Sequence, residues 1–288
     1  MDKIEDGAKA LITNQKKEIQ HPAASLGFKA IPVSVLPTRG WFYPEGMTIA
    51  ISPAKIAEIR HWSTIEETDD IGVDEAINFI MERCTKISFG DTMGSFKDLK
   101  EIDRLYLIFA IRELTFKNGQ NKLKAEFPDG DTLRTVELTK EMISYFEMPE
   151  EFEKYYDANE RCFIFEDPES DEILKAYFPS IGVARAVSDW ENTMKTKRLQ
   201  VEPDFRQAAQ FVTKDWRQIT NENLSKMRID SNGWSLWKVS MLSYFATKIL
   251  NTVNPTMKVK MKNGTEEVVP LNFQGGLKAL FLIPNPLG

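Results

Sequence analysis

Apolar residues recur along this chain at two different spacings, and each change of spacing marks a boundary between elements. Met47 to Ile51 alternates as a short half-buried strand does. Ser52-Pro53 then supplies an N-cap and a first-turn proline, which predicts a helix through Trp62. Ser63 and Glu66 stand at capping-box spacing, and Ile77, Ile80, Met81 and Cys84 recur at helical spacing, predicting a second helix over about 74–85. Ile102, Leu105, Tyr106, Ile108, Phe109 and Arg112 lie close to a 3.6 repeat and predict the clearest amphipathic helix, over 98–114.

Beyond residue 116 the pattern shortens. Asn118-Gly119 is a hairpin signal, Pro128-Asp129-Gly130 is a turn, and the β-like runs Leu123 to Phe127 and Leu133 to Leu138 predict a meander. A short helix is expected over 140–146, and strands at Cys162 to Phe165 and Ile173 to Phe178 flank the turn Pro168-Glu169-Ser170-Asp171. Helical spacing returns near Val183. Pro203 opens a helix presenting Phe205, Ala208, Ala209 and Val212, and a longer one runs from Trp234 to Val253. Lys238, Lys248 and the Ser and Thr content of that longer helix argue for a core helix rather than a bilayer span. Lys258 to Val269, around Asn263-Gly264, reads as a hairpin.

The predicted fold class is α+β, in four sections: an N-terminal arm over 1–30, a helical section with a short leading strand over 31–116, a β-rich acidic middle over 117–180, and a helical C-terminal section with hairpin and apolar tail over 181–288. The arm is either a disordered terminus or a segment that orders on a neighbouring subunit.

Composition narrows the function classes. At 288 residues with 42% hydrophobic content the chain can bury a substantial core without staples. Net charge is −6, against bulk binding to a phosphate backbone. The acid is concentrated: Glu141 through Glu172 carries twelve carboxylates against Lys154 and Arg161, which leaves the remainder mildly basic. No signal peptide or bilayer-length apolar run is read, and Cys84 and Cys162 stand far apart as two expected buried thiols, so a cytoplasmic site of synthesis is expected.

Catalytic and cofactor patterns are sparse. His21, His61, Cys84 and Cys162 lack metal-ligand spacing, no nucleophile elbow is present, and Gly275-Gly276 lacks the Lys-Ser/Thr of a phosphate loop, so no metal or other cofactor is expected. Carboxylates are too numerous to single out a hydrolytic pair. Two features stand out. In Leu36-Pro37-Thr38-Arg39-Gly40-Trp41-Phe42-Tyr43-Pro44, three consecutive aromatics cannot all face inward from a regular strand. Trp41, Phe42 and Tyr43 are therefore either packed on the chain's own helices or anchors between subunits. The tail residues Leu280, Phe281, Leu282 and Ile283, after the Gly275-Gly276 hinge, suit docking in a groove on the chain itself or on a partner.

The order of these features resembles the baseplate hub and hub-assembly family of T-even-like contractile-tailed bacteriophages. The similarity lies in Leu36 to Gly46, Ile49 to Ile59, Val73 to Cys84 and Leu99 to Glu113, through Asp74, Asp103, Arg104, Arg112 and Glu113, and it spans roughly residues 33–116. Members of that family often carry paired cysteines after the second helix, where this chain has Asn118-Gly119, so no zinc expectation is inherited. The resemblance implies a non-enzymatic structural part of the tail baseplate, assembled in the host bacterial cytoplasm and contacting other tail proteins and copies of itself in a ring, without direct nucleic-acid contact or a membrane span. It makes Arg39 a candidate for bidentate pairing with a carboxylate, and Asp103 with Arg104 a polar bridge between helices. The alternatives are a non-virion assembly chaperone for the hub and, from another class, a carboxylate-based cell-envelope hydrolase.

Overall fold

A computed structural model describes residue 23 and residues 26–66, 68–116, 122–142, 147–253, 256–274 and 276–282. The alternation at Met47–Ile51 (β2) does make a strand, and it pairs on both sides. The sheet runs β1-β2-β3-β4, all antiparallel, with β1 at Lys29–Ile31, β3 at Thr85–Phe89 and β4 at Thr92–Gly94. Ile49 sits opposite both Ile31 and Ile87, and all three are buried, so one face of the sheet is a continuous apolar row.

Three helices cover that face: α1 (Ile56–Ser63), α2 (Asp70–Cys84) and α3 (Arg104–Thr115). Their starts differ from the sequence expectation for identifiable reasons. The Ser52 N–H donates to the Cys84 carbonyl and so continues the sheet edge, and α1 begins only after Lys55, whose N–H donates to the Glu58 carboxylate. Ser63 closes α1 instead of opening α2, which Asp69 caps by accepting from the Gly72 N–H. Two 3₁₀ turns, Phe96–Asp98 and Glu101–Asp103, stand where the first turns of α3 are expected, and the backbone between them, at Lys100, bridges Ser180.

The middle divides into two sheets. β5 (Lys124–Asp129) and β6 (Thr132–Glu137) form a hairpin that joins the first core, where the Glu126 N–H donates to the Asn272 carbonyl. A four-residue helix α4 (Glu150–Glu153) leads into a separate meander of β7 (Tyr156–Asp157), β8 (Cys162–Glu166) and β9 (Ile173–Ala176). The predicted short helix over 140–146 is a 3₁₀ turn at Lys140–Met142 as far as it is described, and Asn118-Gly119 lies outside the described residues.

Next come α5 (Ile181–Thr196), α6 (Pro203–Val212), α7 (Asn221–Asp230) and α8 (Leu236–Val253), then the hairpin β10 (Thr256–Lys260) and β11 (Glu266–Pro270). Gly264, at φ 88°, makes its turn, as the Asn-Gly pair predicts. The fold class is α+β, with eight α-helices and four small antiparallel sheets among the described residues.

Burial follows three clusters rather than the four sections of sequence. The first joins the β1–β4 sheet and α1–α3 to both hairpins and to Leu280 and Phe281. The second packs the β7–β9 meander on α6 and α8; there Phe245 meets Phe152, Phe163, Phe165 and Phe211 at ring-centroid distances of 4.8–5.5 Å. The third holds α5, α6 and α7 together around Trp190. Phe245 is fully buried and Leu236, one helix end away, is 82% exposed. We expect Phe245→Ala to cost about 3–5 kcal/mol of unfolding free energy in urea titrations. Leu236→Ala should change it by less than about 0.5 kcal/mol.

Candidate functional site

The Leu36–Pro44 segment is not a strand. Successive turns close it: the Arg39 N–H donates to the Leu36 carbonyl, Trp41 to Thr38, and Tyr43 to Gly40. Arg39 and Gly40 both take left-handed backbone, at φ 52° and 82°. A Cβ at Gly40 would stand 3.1 Å from Val33 Cγ2, so both backbone angle and space favour glycine there. Arg39 carries strain of about 1 kcal/mol in that conformation, which the surrounding bonds hold in place.

Those bonds converge on Asp103, which is fully buried. Its carboxylate accepts from the Thr38 N–H at 2.9 Å, the Thr38 hydroxyl at 2.7 Å and the Tyr43 hydroxyl at 2.6 Å. The Tyr43 oxygen accepts in turn from the Lys100 N–H at 2.8 Å, and the Lys100 ammonium donates to the Phe178 carbonyl at 2.9 Å. Burial pushes the Asp103 carboxyl up to about 6, offset in part by the hydrogen bonds from Tyr43 and Thr38 and by Lys100. Burial presses Lys100 down to about 8, against the pull of Asp103 and Asp98. The Tyr43 hydroxyl is raised by burial and then by the Asp103 charge, so it remains a donor.

The polar bridge expected of Asp103 and Arg104 thus splits in two. Asp103 ties the turn to the base of α3, while Arg104 joins α3 to α2 through Asp74 at 2.6 Å.

The three consecutive aromatics diverge. Tyr43 enters the first core, whereas Phe42 enters the second and stacks on Phe178 at 4.3 Å. Trp41 keeps 38% of its surface exposed, lies 5.4 Å from the Tyr156 ring, and accepts the Tyr156 hydroxyl on its carbonyl. Arg39 is at the surface. In the tail, Leu280 and Phe281 are fully buried against this chain's own first core, with Phe281 edge-on to Trp62 at 5.7 Å. Leu282 is 59% exposed, and Ile283 lies outside the described residues. The turn and the tail are therefore separate features. Of the eight candidate interface residues, Arg39, Trp41 and Leu282 keep exposed surface.

Beside the turn, a cleft of about 350 Å³ opens between the first and second cores, lined by Tyr43, Lys100, Arg161 and Arg217 among others. Burial works to raise the Asp98 carboxyl at its rim, but the Arg217 guanidinium, the Ser95 N–H and the Trp216 indole together hold it below the usual range. Lys100, Tyr156 and Arg161 carried no signal in the sequence; each sits among charged or polar neighbours and reads as solvated surface until the fold brings it to the turn.

Among the described residues no group of three or more His, Cys, Asp or Glu stands close enough to hold a metal ion, and no helix is long and apolar enough to cross a membrane. Cys84 and Cys162 are both buried and unpaired in disulfides, and burial raises both thiols, Cys84 to about 11.

Two predictions follow from the Asp103 network. Tyr43→Phe removes a bond to a charged group and strands the Lys100 N–H, and should cost about 2–3 kcal/mol in denaturant titrations. The folded Asp103 binds its proton near pH 6 whereas the unfolded chain does so near 3.8, so protonation stabilises the fold as pH falls between those values. Lys100 releases its proton near 8 when folded and near 10.5 when unfolded, so its contribution rises with pH across that interval. Asp103→Asn should flatten the acidic limb of the stability–pH profile, and Lys100→Met the alkaline one. No protein-family model matches this chain, and no curated protein or solved structure matches it.

Proposed function

We propose that this chain is a structural component of the hub region of a contractile phage tail baseplate, acting through protein–protein contacts in tail assembly and without a catalytic step. The observation that carries this reading is the Leu36–Pro44 turn. It is the opening segment of the resemblance, and it is built so that a large aromatic keeps exposed surface while its two neighbours are buried in different cores. An exposed tryptophan on a loose loop would lose conformational entropy on docking; Trp41 is fixed beforehand by Tyr156 and by the bonds to Asp103. Rigid, amphipathic aromatics of this kind are the residues that dominate interface energetics. The acidic stretch around β7–β9 adds a second surface, with Glu150, Glu166, Glu169 and Asp171 all exposed.

Quantitative mass spectrometry of purified tail particles tests the proposal. A fixed few copies per particle would support it. Abundance in lysate with absence from particles would replace it by the assembly-chaperone reading, and absence of any dependence of particle formation on this chain would end both. In a particle that contains the chain, Trp41→Ala should lower stability by only about 1 kcal/mol, yet reduce incorporation into particles several-fold. Phe42→Ala, by contrast, should reduce soluble yield, because it empties a stacked position in the second core.

A further inference from the structure

The cleft beside the turn has an unbalanced set of charges. Its three carboxylates are already engaged: Asp98 and Asp215 with Arg217, and Glu160 with Lys214 and Lys175. One cation of the cleft is not matched in this way. The Lys100 ammonium donates to a backbone carbonyl and feels the charges of Asp103 and Asp98, whereas the Arg161 side chain makes no ion pair or hydrogen bond among the described residues. Arg161 is held in left-handed backbone at φ 55°, with its N–H donated to the Asp157 carbonyl, so its position at the cleft mouth is fixed. Ser180 also lines the cleft and caps the sixteen-residue α5, which brings the positive end of that helix to the same wall.

The complementary surface lies on the same sheet. Arg161 directly precedes β8, Glu166 ends it, and the turn that follows carries Glu169 and Asp171; all three carboxylates are exposed and in no ion pair among the described residues. Five residues of strand separate the two ends by about 17 Å. The β8–β9 ladder, from Phe163 opposite Ala176 to Glu166 opposite Ile173, holds the acidic turn away from its own cleft. A chain with a fixed basic cleft at one end of a strand and a fixed acidic tip at the other cannot satisfy both by itself.

We propose that the cleft receives the Glu166–Asp171 turn of a second copy of this chain, forming a head-to-tail contact between copies. Such a contact is heterologous: it repeats from copy to copy, closing into a ring when the rotation between copies allows it. The proposal rests on the reading of the chain as an assembly component and names a contact that such a component uses.

Sedimentation velocity of the full chain over a wide concentration range tests it. The wild type should associate at low salt and return to monomer at 1 M salt, where the screening length is about 3 Å. Arg161→Glu alone, and Glu169→Lys with Asp171→Lys, should each weaken association at least tenfold while leaving circular dichroism and thermal unfolding unchanged. Mixed together, these two variants should co-assemble in alternation, because the native tip of the first fits the native cleft of the second and the reversed tip of the second fits the reversed cleft of the first. The three substitutions in one chain should restore extended assembly. A wild type that stays monomeric throughout, association indifferent to Arg161→Glu, or two folded variants that fail to pair would each overturn the contact. A chain that associates in this way yet is missing from tail particles would overturn the baseplate reading and leave the contact standing. A chain present in particles with no dependence on Arg161 would do the reverse.

Discussion

A single buried carboxylate organises the junction on which the rest of the molecule depends. Asp103 accepts three hydrogen bonds from Thr38 and Tyr43, and in doing so fixes a turn that enters two hydrophobic cores at adjacent residues. Side chains of neighbouring residues in such a turn leave the backbone in different directions, so fixing one fixes the other. Tyr43 locks into the first core, Phe42 is thereby aimed into the second, and the two cores are held together by a segment with almost no freedom to shear. A buried charge is an expensive way to achieve this, since burial alone opposes ionisation. What it gives in exchange is directionality: an apolar residue at 103 would fill the space without dictating which way Thr38 and Tyr43 face.

The same junction sets the character of the surface around it. Lys100 is drawn inward by Tyr43 and by the Phe178 carbonyl, and this breaks what would otherwise be the first turns of α3. The loss of helix there creates the bridge from Lys100 to Ser180 and so positions the start of α5 beside the cleft. Electrostatics and topology are coupled at this point. The basic wall of the cleft exists because the backbone was bent to satisfy a tyrosine hydroxyl, and Trp41 stays outside because Phe42 and Tyr43 already occupy the available interior.

Much of the architecture was legible in the sequence because local signals agreed with tertiary demand. Pro203 opened a helix, Asn263-Gly264 turned a hairpin, and the strands near Cys162 and Ile173 fell where β-like runs predicted them. The failures cluster where distant backbone overrode local preference. Ser52-Pro53 looked like a helix start, but the Ser52 N–H was claimed by Cys84, more than thirty residues away. No local strand signal marks Lys29–Ile31, Thr85–Phe89 or Thr92–Gly94: the first straddles the boundary between the arm and the section after it, and the others are short and half polar, their pairing and the burial of Ile87 coming only with the fold. At the site, the aromatic-proline segment and Asp103 were visible as unusual residues, but their direct contact spans sixty or more positions, and no local pattern encodes it. Arg161 was hidden within an acidic run, where a lone cation reads as charge balance.

The closing of the first core by Trp62, whose indole donates to the Lys278 carbonyl and whose ring meets Phe281, also bears on how the chain acquires its fold. Those partners are separated by more than two hundred residues, and loop-closure entropy makes contacts of such range late and slow to form. During synthesis the β1–β4 sheet and its helices emerge early but leave the side facing Phe281 uncovered until nearly the whole described chain has left the ribosome. The second and third clusters, drawn from Phe42 and residues 152–249, lack such a dependence on the last segment. The order of maturation is therefore inverted relative to the order of translation: the sheet made first is the one completed last.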